Sequence, residues 1–134
     1  MIDQRFPPCH RLRKRAQFQH VYGNGRRAGG RHAVVFALRR PEDGPWRLGL
    51  TATRRAGKAT ARNRMRRRAR EFFRRRRPWI PEGWDFVVNL RGSAAEAEFA
   101  AFELDLCRAL GRLGIEVPGR IDGERGRDGA GGEP

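Results

Sequence analysis

Within the strongly basic segment from Arg54 to Arg77, apolar residues recur at a regular spacing. They follow the i, i+4, i+7, i+8 pattern of an amphipathic helix and are Met65, Ala69, Phe72 and Phe73. At about 100° per residue they fall within a wedge about 100° wide. We therefore expect a helix that packs one side against an apolar core, which the rest of the chain must supply.

The other faces of this predicted helix are cationic. Beside the apolar wedge lie Asn63, Arg66, Arg67, Arg70 and Arg74, and the opposite flank carries Arg64, Arg68 and Arg75. Glu71 is the single acid of the segment, so the segment does not neutralise its own charge. A surface of this kind is typical of a protein that binds a polyanion.

The composition of the whole chain supports the same interpretation. Its 134 residues carry a formal net charge of +15 and a pI near 11.7, which argues against an enzyme for a neutral metabolite. Of the 30 basic residues, only Lys14 and Lys58 are lysines. Arginine pairs bidentately with phosphate and stacks on bases, so the preference suits RNA. A GC-rich genome would also produce it.

The sequence contains no pattern typical of a membrane segment, a disulfide framework or an active site. No apolar run approaches the roughly 18 residues that cross a bilayer, and no signal peptide is recognisable. We therefore expect a cytoplasmic protein without a membrane partner. Cys9 and Cys107 are too few for a disulfide framework or a zinc site, and the histidines lack metal-ligand spacing. We expect neither catalytic nor metal-binding residues in this chain.

A chain of this length is expected to form one domain with a small core. The predicted regions are a basic N-terminal arm over residues 1–11, a single domain over residues 12–116, and a glycine-rich tail over residues 117–134. The tail has almost no apolar residues, so it is expected to be disordered.

The first half of the predicted domain contains a helix and two or three strands. The helix spans Leu12 to Tyr22, and the glycines after it end it. Strands are predicted at His32 to Arg39 and at Trp46 to Arg54, joined as a hairpin by the turn from Pro41 to Pro45. Arg26 to Gly30 is either a short edge strand or a turn.

The second half contains the basic helix, a strand and a closing helix. Asp85 to Arg91 is predicted to be a strand. Ser93 and Glu96 have the form of a capping box that begins the last helix, and Gly114 ends it. One face of that helix carries Phe99, Phe102, Leu106, Leu110 and Leu113. The predicted fold class is α+β, a two-layer sandwich with helices covering one sheet.

Three aromatic residues have two possible roles in such a fold. Phe18, Tyr22 and Phe36 are candidates for stacking on unpaired bases, which contributes about 1–3 kcal/mol per base. Periodicity alone favours the alternative, that they pack in the core. Asn63 adds an uncharged side chain that both donates and accepts hydrogen bonds on the basic face.

The string from Gly57 to Arg67, GKATARNRMRR, resembles the RNR signature of the bacterial ribonuclease P protein subunit family. Several further stretches are similar to that family in the same order, and the similarity covers roughly residues 9–114. These stretches are Arg11-Leu12, Phe18 with Val21-Tyr22, Gly25-Arg26, Arg47 to Leu50, the strand from Asp85 and the closing helix.

The resemblance implies a particular fold and a particular chemistry. The fold is like ribosomal protein S5 domain 2, with about four strands and the basic helix in a left-handed βαβ crossover, contrary to the usual right-handed rule. The resemblance also implies that the RNA subunit is the catalyst and that it and the substrate hold most of the Mg²⁺. The protein would bind this RNA one to one and would bind precursor tRNA, whose 5′ leader the complex removes.

The resemblance assigns roles to two sets of residues. Those expected to contact the catalytic RNA are Arg62, Asn63, Arg64, Arg66, Arg67 and Arg70. Those expected to hold the leader are Phe18, Tyr22, Phe36, Thr51, Thr53, Arg54 and Arg55. The alternative is a stand-alone RNA-binding or ribosome-associated protein, which would share the charge but need no catalytic RNA.

This chain departs from the usual family pattern at several positions. Arg54, Arg55 and Arg66 stand where lysine is common, which keeps the charge but changes the hydrogen-bond geometry. Thr51 and Thr53 stand where serine is common and retain a hydroxyl. Arg68 and Ala69 replace an apolar pair, so the basic helix is expected to have a thinner hydrophobic contact.

Overall fold

The computed structural model describes residues 10–121, which form three α-helices and four β-strands. In chain order these are α1 (Arg15–Asn24), β1 (Arg26–Gly29), β2 (Ala33–Arg39), β3 (Arg47–Thr51), α2 (Ala59–Arg75), β4 (Trp84–Leu90) and α3 (Phe99–Arg112). The predicted α+β class is confirmed. Across the described residues, no helix combines the length and apolar character needed to span a membrane.

The strands form one mixed sheet in the order β1-β2-β4-β3. β2 pairs antiparallel with both β1 and β4, whereas β3 pairs parallel with β4. The predicted hairpin between β2 and β3 is therefore wrong, because β4 lies between them. β4 buries Asp85, Phe86, Val87 and Val88 in succession, as expected for a central strand covered on both faces.

α2 connects the parallel strands β3 and β4, as the predicted βαβ unit requires. The handedness of this crossover stays a prediction. The apolar wedge of α2 lies as expected, with Met65, Ala69, Phe72 and Phe73 all fully buried. Burying large side chains such as these contributes about 1.5–3 kcal/mol each, so α2 is fixed to the sheet despite the small Ala69.

α2 and α3 cover the same face of the sheet and share the main core. α3 contributes Phe102, Leu106 and Leu110, which pack in one cluster with Val35 and Val88 of the sheet. These elements form the two principal layers of the fold. The basic faces of α2 are left outside this core.

α1 lies on the opposite face of the sheet and covers only part of it. Val21 is fully buried there with Leu12 and Val87, and Phe18 and Phe36 pack against them while half-buried. The helix continues through Gly23 and ends before Gly25, whose backbone N–H donates to the Val21 carbonyl. This partial cover leaves a stretch of the sheet open beside α1.

Ser93 does not begin the last helix, contrary to the predicted capping box. It lies in a short 3₁₀ turn, Gly92–Ala95, and α3 starts only at Phe99. Ala94 and Ala95 are buried against the core, and Arg68 of α2 donates to the Ala94 carbonyl. This packing holds the segment in a turn, and the Ser93 hydroxyl lies 2.7 Å from His32 Nδ1.

The ends of the described chain are anchored to the domain. At the end of the predicted N-terminal arm, Arg11 bridges to Leu48 of β3, and the next residue, Leu12, donates its N–H to the Leu48 carbonyl. The predicted tail begins at residue 117, yet its first residues contact the domain, since Arg76 donates to the carbonyls of Pro118 and Gly119. Residues 1–9 and 122–134, with the rest of the predicted arm and tail, lie outside the described residues.

Candidate nucleic-acid interface

A cleft of about 600 Å³ opens along β3, the edge strand of the sheet, between α2 and the segment that leads into α1. We call it the edge cleft. Its floor is apolar and is formed by Leu12, Phe18, Leu48 and Leu50. Its walls are charged and are formed by Arg11, Arg13, Arg66, Arg67, Arg70, Glu71 and Arg74. An apolar floor between guanidinium walls suits a ligand with a flat ring and a phosphate.

The arginines of the edge cleft are close enough to repel one another. The pKa of Arg70 is lowered, first by partial burial and then by the neighbouring charges of Arg11, Arg66 and Arg67. The acid in this wall, Glu71, is already engaged, because Arg74 donates to its two carboxylate oxygens at 3.0 and 2.6 Å. This hydrogen-bonded pair holds the pKa of Glu71 below its ordinary value, against the opposing effect of burial. The cleft therefore keeps a strong positive potential.

Arg66 is oriented by two neighbouring groups. It donates through Nη1 to Asn63 Oδ1 at 3.1 Å and through Nη2 to the Ala52 carbonyl at 3.4 Å. Arg66 is half-buried, whereas Arg67 and Arg70 are exposed. One guanidinium is thus positioned in advance, and its two exposed neighbours extend the cationic surface that a phosphate backbone would meet.

The structure separates the six predicted RNA-contacting residues into two groups. Arg66, Arg67 and Arg70 line the edge cleft, and Asn63 adjoins it through Arg66. Arg62 and Arg64 lie on the first turns of α2 and do not line it. On the opposite flank, Arg68 and Arg75 face the last helix and its approach, since Arg68 donates to the Ala97 carbonyl and Arg75 to Glu103.

A second surface lies on the open part of the sheet beside α1. We call it the polar sheet face; it consists of Tyr22, Phe36, Thr51 and Asn89. The rings of Tyr22 and Phe36 meet edge to face with their centroids 4.8 Å apart, and Tyr22 remains 38% exposed. The hydroxyls of Tyr22 and Thr51 both donate to Asn89 Oδ1, at 2.8 and 2.6 Å.

Phe18 connects the two surfaces. Its ring lies over Gly49 of β3, where an added Cβ would come within 2.5 Å of the ring, so only glycine admits the ring at this depth. Phe18 lines the edge cleft and also packs in the same apolar cluster as Phe36. A strand of nucleic acid could therefore pass from one surface to the other without leaving the protein.

The predicted leader-binding residues are gathered in part. Phe18, Tyr22, Phe36 and Thr51 lie together, and their aromatic rings are neither wholly in the core nor wholly exposed. Thr53 is exposed, and Arg54 and Arg55 are exposed on the 3₁₀ turn that follows β3. These three follow Thr51 in the chain, and no ring contact joins them to the polar sheet face within residues 10–121.

Sequence reasoning missed Asn89 and the two arginines before α1, Arg11 and Arg13. Asn89 stands in an apolar run, and its polar neighbours become visible only when β3 and β4 are aligned, with Thr51 opposite Asn89 and Arg47 opposite Asp85. Asp85 is not a free carboxylate, because Arg40 and Arg47 donate to it at 2.7 and 2.8 Å. Within the described part of the chain, no three His, Cys, Asp or Glu side chains are grouped to hold a metal ion.

Comparison with known proteins places this arrangement in a family. A family model described as Ribonuclease P matches residues 6–114. The ribonuclease P protein component of Gluconacetobacter diazotrophicus is 40% identical over 110 residues, covering 80% of this chain and 93% of that protein. The corresponding protein of Geobacillus kaustophilus is 34% identical over 105 residues, covering 78% of this chain and 87% of that protein.

Solved structures agree with the sequence comparison. The RNase P protein of Thermotoga maritima superposes with a TM-score of 0.65 at 33% identity, covering 84% of this chain and 98% of that chain. The RNase P protein of Staphylococcus aureus superposes with a TM-score of 0.72 at 27% identity, covering 79% of this chain and 96% of that chain. With the family model matching most of its length, this chain belongs to the ribonuclease P protein family.

Proposed function

We propose that this chain, as a protein subunit of the ribonuclease P endoribonuclease, binds two RNA segments side by side. The basic face of α2 binds the catalytic RNA, through Arg62, Asn63, Arg64, Arg66, Arg67 and Arg70. The polar sheet face and the turn after β3 bind the single-stranded 5′ leader of precursor tRNA. The position of Phe18 carries this proposal, because Phe18 lines the edge cleft and also packs in the same apolar cluster as Phe36 of the polar sheet face.

The role of the protein in this proposal is electrostatic and positional. Guanidinium groups neutralise phosphates that would otherwise repel one another where the catalytic RNA and the leader meet. Less Mg²⁺ is then needed to fold the RNA and to capture the substrate. The described residues offer no cluster of metal ligands, so Mg²⁺ in this proposal is held mainly by the RNA subunit and the substrate. This Mg²⁺ supports the hydrolysis that the RNA subunit catalyses.

The complex contains one protein and one catalytic RNA in this proposal, and it works in the cytoplasm. The continuity of the two surfaces supports the stoichiometry, because one chain already provides both an RNA-binding helix and a leader surface. The test is a titration of the catalytic RNA with protein, in which light scattering measures the mass of the complex at each step. A plateau at two proteins per RNA would contradict the proposal.

Cleavage of precursor tRNA at low Mg²⁺ tests the function directly. The reaction is run with the catalytic RNA alone, the protein alone, and the two together. We expect correct 5′ processing only in the mixture, and its loss at high salt, because the contacts to phosphate are screened. Cleavage by the protein alone would contradict the assignment of catalysis to the RNA.

A leader-binding role for Phe18 gives a second, independent test. Removing the ring in Phe18→Ala should weaken binding of precursor tRNA about fivefold to a hundredfold, the equivalent of one lost stacking contact. Binding of mature tRNA, which has no leader, should change little. Equal losses for the two tRNAs would assign Phe18 to packing alone.

A stand-alone RNA-binding protein is the remaining alternative, and the same assays separate it. Such a protein would bind many RNAs through its arginines with similar affinity. It would leave the activity of the catalytic RNA unchanged at every Mg²⁺ concentration. A subunit of the complex should instead prefer its own RNA in competition with an unrelated RNA of equal length.

A further inference from the structure

The hydrogen bonds that Asn89 makes within the protein leave its side chain suited to recognising a nucleobase. Its side chain is half-buried on β4, in register with Thr51 on β3. The Tyr22 hydroxyl of α1 donates to Asn89 Oδ1, as the Thr51 hydroxyl does. Three separate elements therefore hold this one amide in place.

The two hydrogen-bond distances show that the hydroxyls bind the oxygen of the Asn89 amide and not its nitrogen. Contacts of 2.8 and 2.6 Å to the two hydroxyls have the length of O–H···O bonds, which are shorter than N–H···O bonds. Both hydroxyls therefore donate to Oδ1, and its two lone pairs are used. Asn89 Nδ2 makes no hydrogen bond within residues 10–121, so the amide presents only N–H donors.

A stacking platform lies directly beside these donors. Tyr22 carries the hydroxyl that fixes Asn89. The residue is 38% exposed, and its ring meets that of Phe36 edge to face. Arg27 lies over the Phe36 ring with its guanidinium 6.0 Å from the centroid. Asn89 and Arg27 thus lie on either side of the Tyr22–Phe36 pair, so a base stacked on Tyr22 would have N–H donors and a cation nearby.

We infer that Asn89 is a specificity-determining residue that donates to a carbonyl oxygen of one leader base, so that uracil is favoured over cytosine and guanine over adenine. Cytosine and adenine carry an amino donor where uracil and guanine carry a carbonyl. Asn89 cannot accept from that amino group, because Oδ1 is saturated by Tyr22 and Thr51. The inference rests on the proposed binding of the leader to the polar sheet face.

Binding of the assembled ribonucleoprotein to a set of precursor tRNAs tests this inference. Each leader position is changed in turn from cytosine to uracil and from adenine to guanine, and the dissociation constants are measured. At one position we expect the carbonyl-bearing base to bind about threefold to tenfold more tightly, the value of one neutral hydrogen bond. Asn89→Ala should reduce this ratio to near one.

Two variants separate positioning from stacking. Tyr22→Phe keeps the ring and Thr51→Val keeps the shape, but each removes a hydroxyl that saturates Oδ1. The base preference should fall in both, because Oδ1 regains a lone pair that can accept from an amino group. A preference that survives both substitutions would overturn the positioning role of the hydroxyls.

Asn89→Asp gives the sharpest outcome, because a carboxylate accepts hydrogen bonds but does not donate them. We expect the preference to reverse toward cytosine and adenine, with weaker binding overall. Asn24→Asp places the same charge on an exposed position of α1 and should weaken all leaders without altering the preference. Thermal unfolding of each variant establishes that it is folded.

The inference and the proposed function fail in different ways. If precursor tRNA binds more tightly than mature tRNA but no leader position shows the preference, or if Asn89→Ala retains it, the inference is overturned and the function stands. If precursor and mature tRNA bind equally, the leader surface itself is wrong, and the inference is overturned with it.

Discussion

Glu71 shows how one residue sets the charge of a binding surface. It lies in the wall of the edge cleft, and its hydrogen bonds to Arg74 hold its pKa below the ordinary value. A carboxyl with a lowered pKa stays ionised at neutral pH and is protonated only as the pH falls through that lowered pKa. Through the neutral range, Glu71 therefore cancels one of the positive charges that would otherwise face RNA.

Removing this charge should strengthen RNA binding. In Glu71→Gln, the charge of Arg74 is no longer offset by a carboxylate at position 71, so the cleft wall attracts phosphate more strongly. We expect affinity for the catalytic RNA to rise about threefold to tenfold. The slope of log affinity against log salt should steepen by about 0.7 to 0.9. Filter binding over a series of salt concentrations measures both quantities.

Glu116→Gln is the matched control for this prediction. It removes one negative charge from an exposed residue beyond the end of α3, outside the edge cleft. Any effect of net charge alone should appear equally in both variants. Equal gains would mean that Glu71 acts through total charge and that Arg74 makes no contact with RNA.

The helices follow from the sequence more closely than the pairing of the strands does. The burial of α2 follows from Met65, Ala69, Phe72 and Phe73, because helical periodicity is a local property that adjacent residues determine. Strand pairing is not local. Nothing in the turn after β2 indicates that β4, some thirty residues beyond β3 in sequence, takes the place beside β2. Asn89 could not be predicted as a site residue for the same reason, because its two hydrogen-bond partners lie on α1 and β3, far from it in sequence.

α2 also depends on a segment that composition alone assigned to a disordered tail. Arg76, the residue after α2, is fully buried. It donates to Glu103 of α3 at 2.8 Å and to the carbonyls of Pro118 and Gly119 at 2.7 and 3.2 Å. Its guanidinium also lies 4.1 Å from the centroid of the Phe72 ring. The segment after α3 thus satisfies a buried cation that would be costly without partners.

A truncation tests this anchor. A chain that ends at Val117 lacks the carbonyls of Pro118 and Gly119, so Arg76 keeps its charge but loses two acceptors. We expect the free energy of unfolding to fall by about 2–4 kcal/mol, because each buried N–H group left without an acceptor destabilises the folded state. Urea unfolding followed by circular dichroism measures the change. A chain that ends at Ile121 should be as stable as the full chain; equal stability of both truncations would contradict the anchor.

The affinity of this protein for RNA depends both on its total charge and on how that charge is arranged. A net charge of +15 attracts any polyanion at long range. At physiological salt, however, exposed charges more than about 8 Å apart are largely screened from one another. Close contacts should therefore depend on which face carries the arginines. The edge cleft concentrates them on one flank of α2, whereas the opposite flank of that helix uses Arg68 and Arg75 to hold the rest of the fold.

Two charge reversals of equal size distinguish these possibilities. Arg67 on α2 and Arg108 on α3 are both exposed within helices, and replacing either by glutamate changes the net charge by the same amount. We expect Arg67→Glu to weaken binding of the catalytic RNA by more than about tenfold, because a carboxylate then faces phosphate in the edge cleft. Arg108→Glu lies outside the cleft, and its effect should stay below about threefold and vanish as salt is raised. Similar losses in the two variants would show that the protein binds RNA as a diffuse cation, and the assignment of the α2 face would then be wrong.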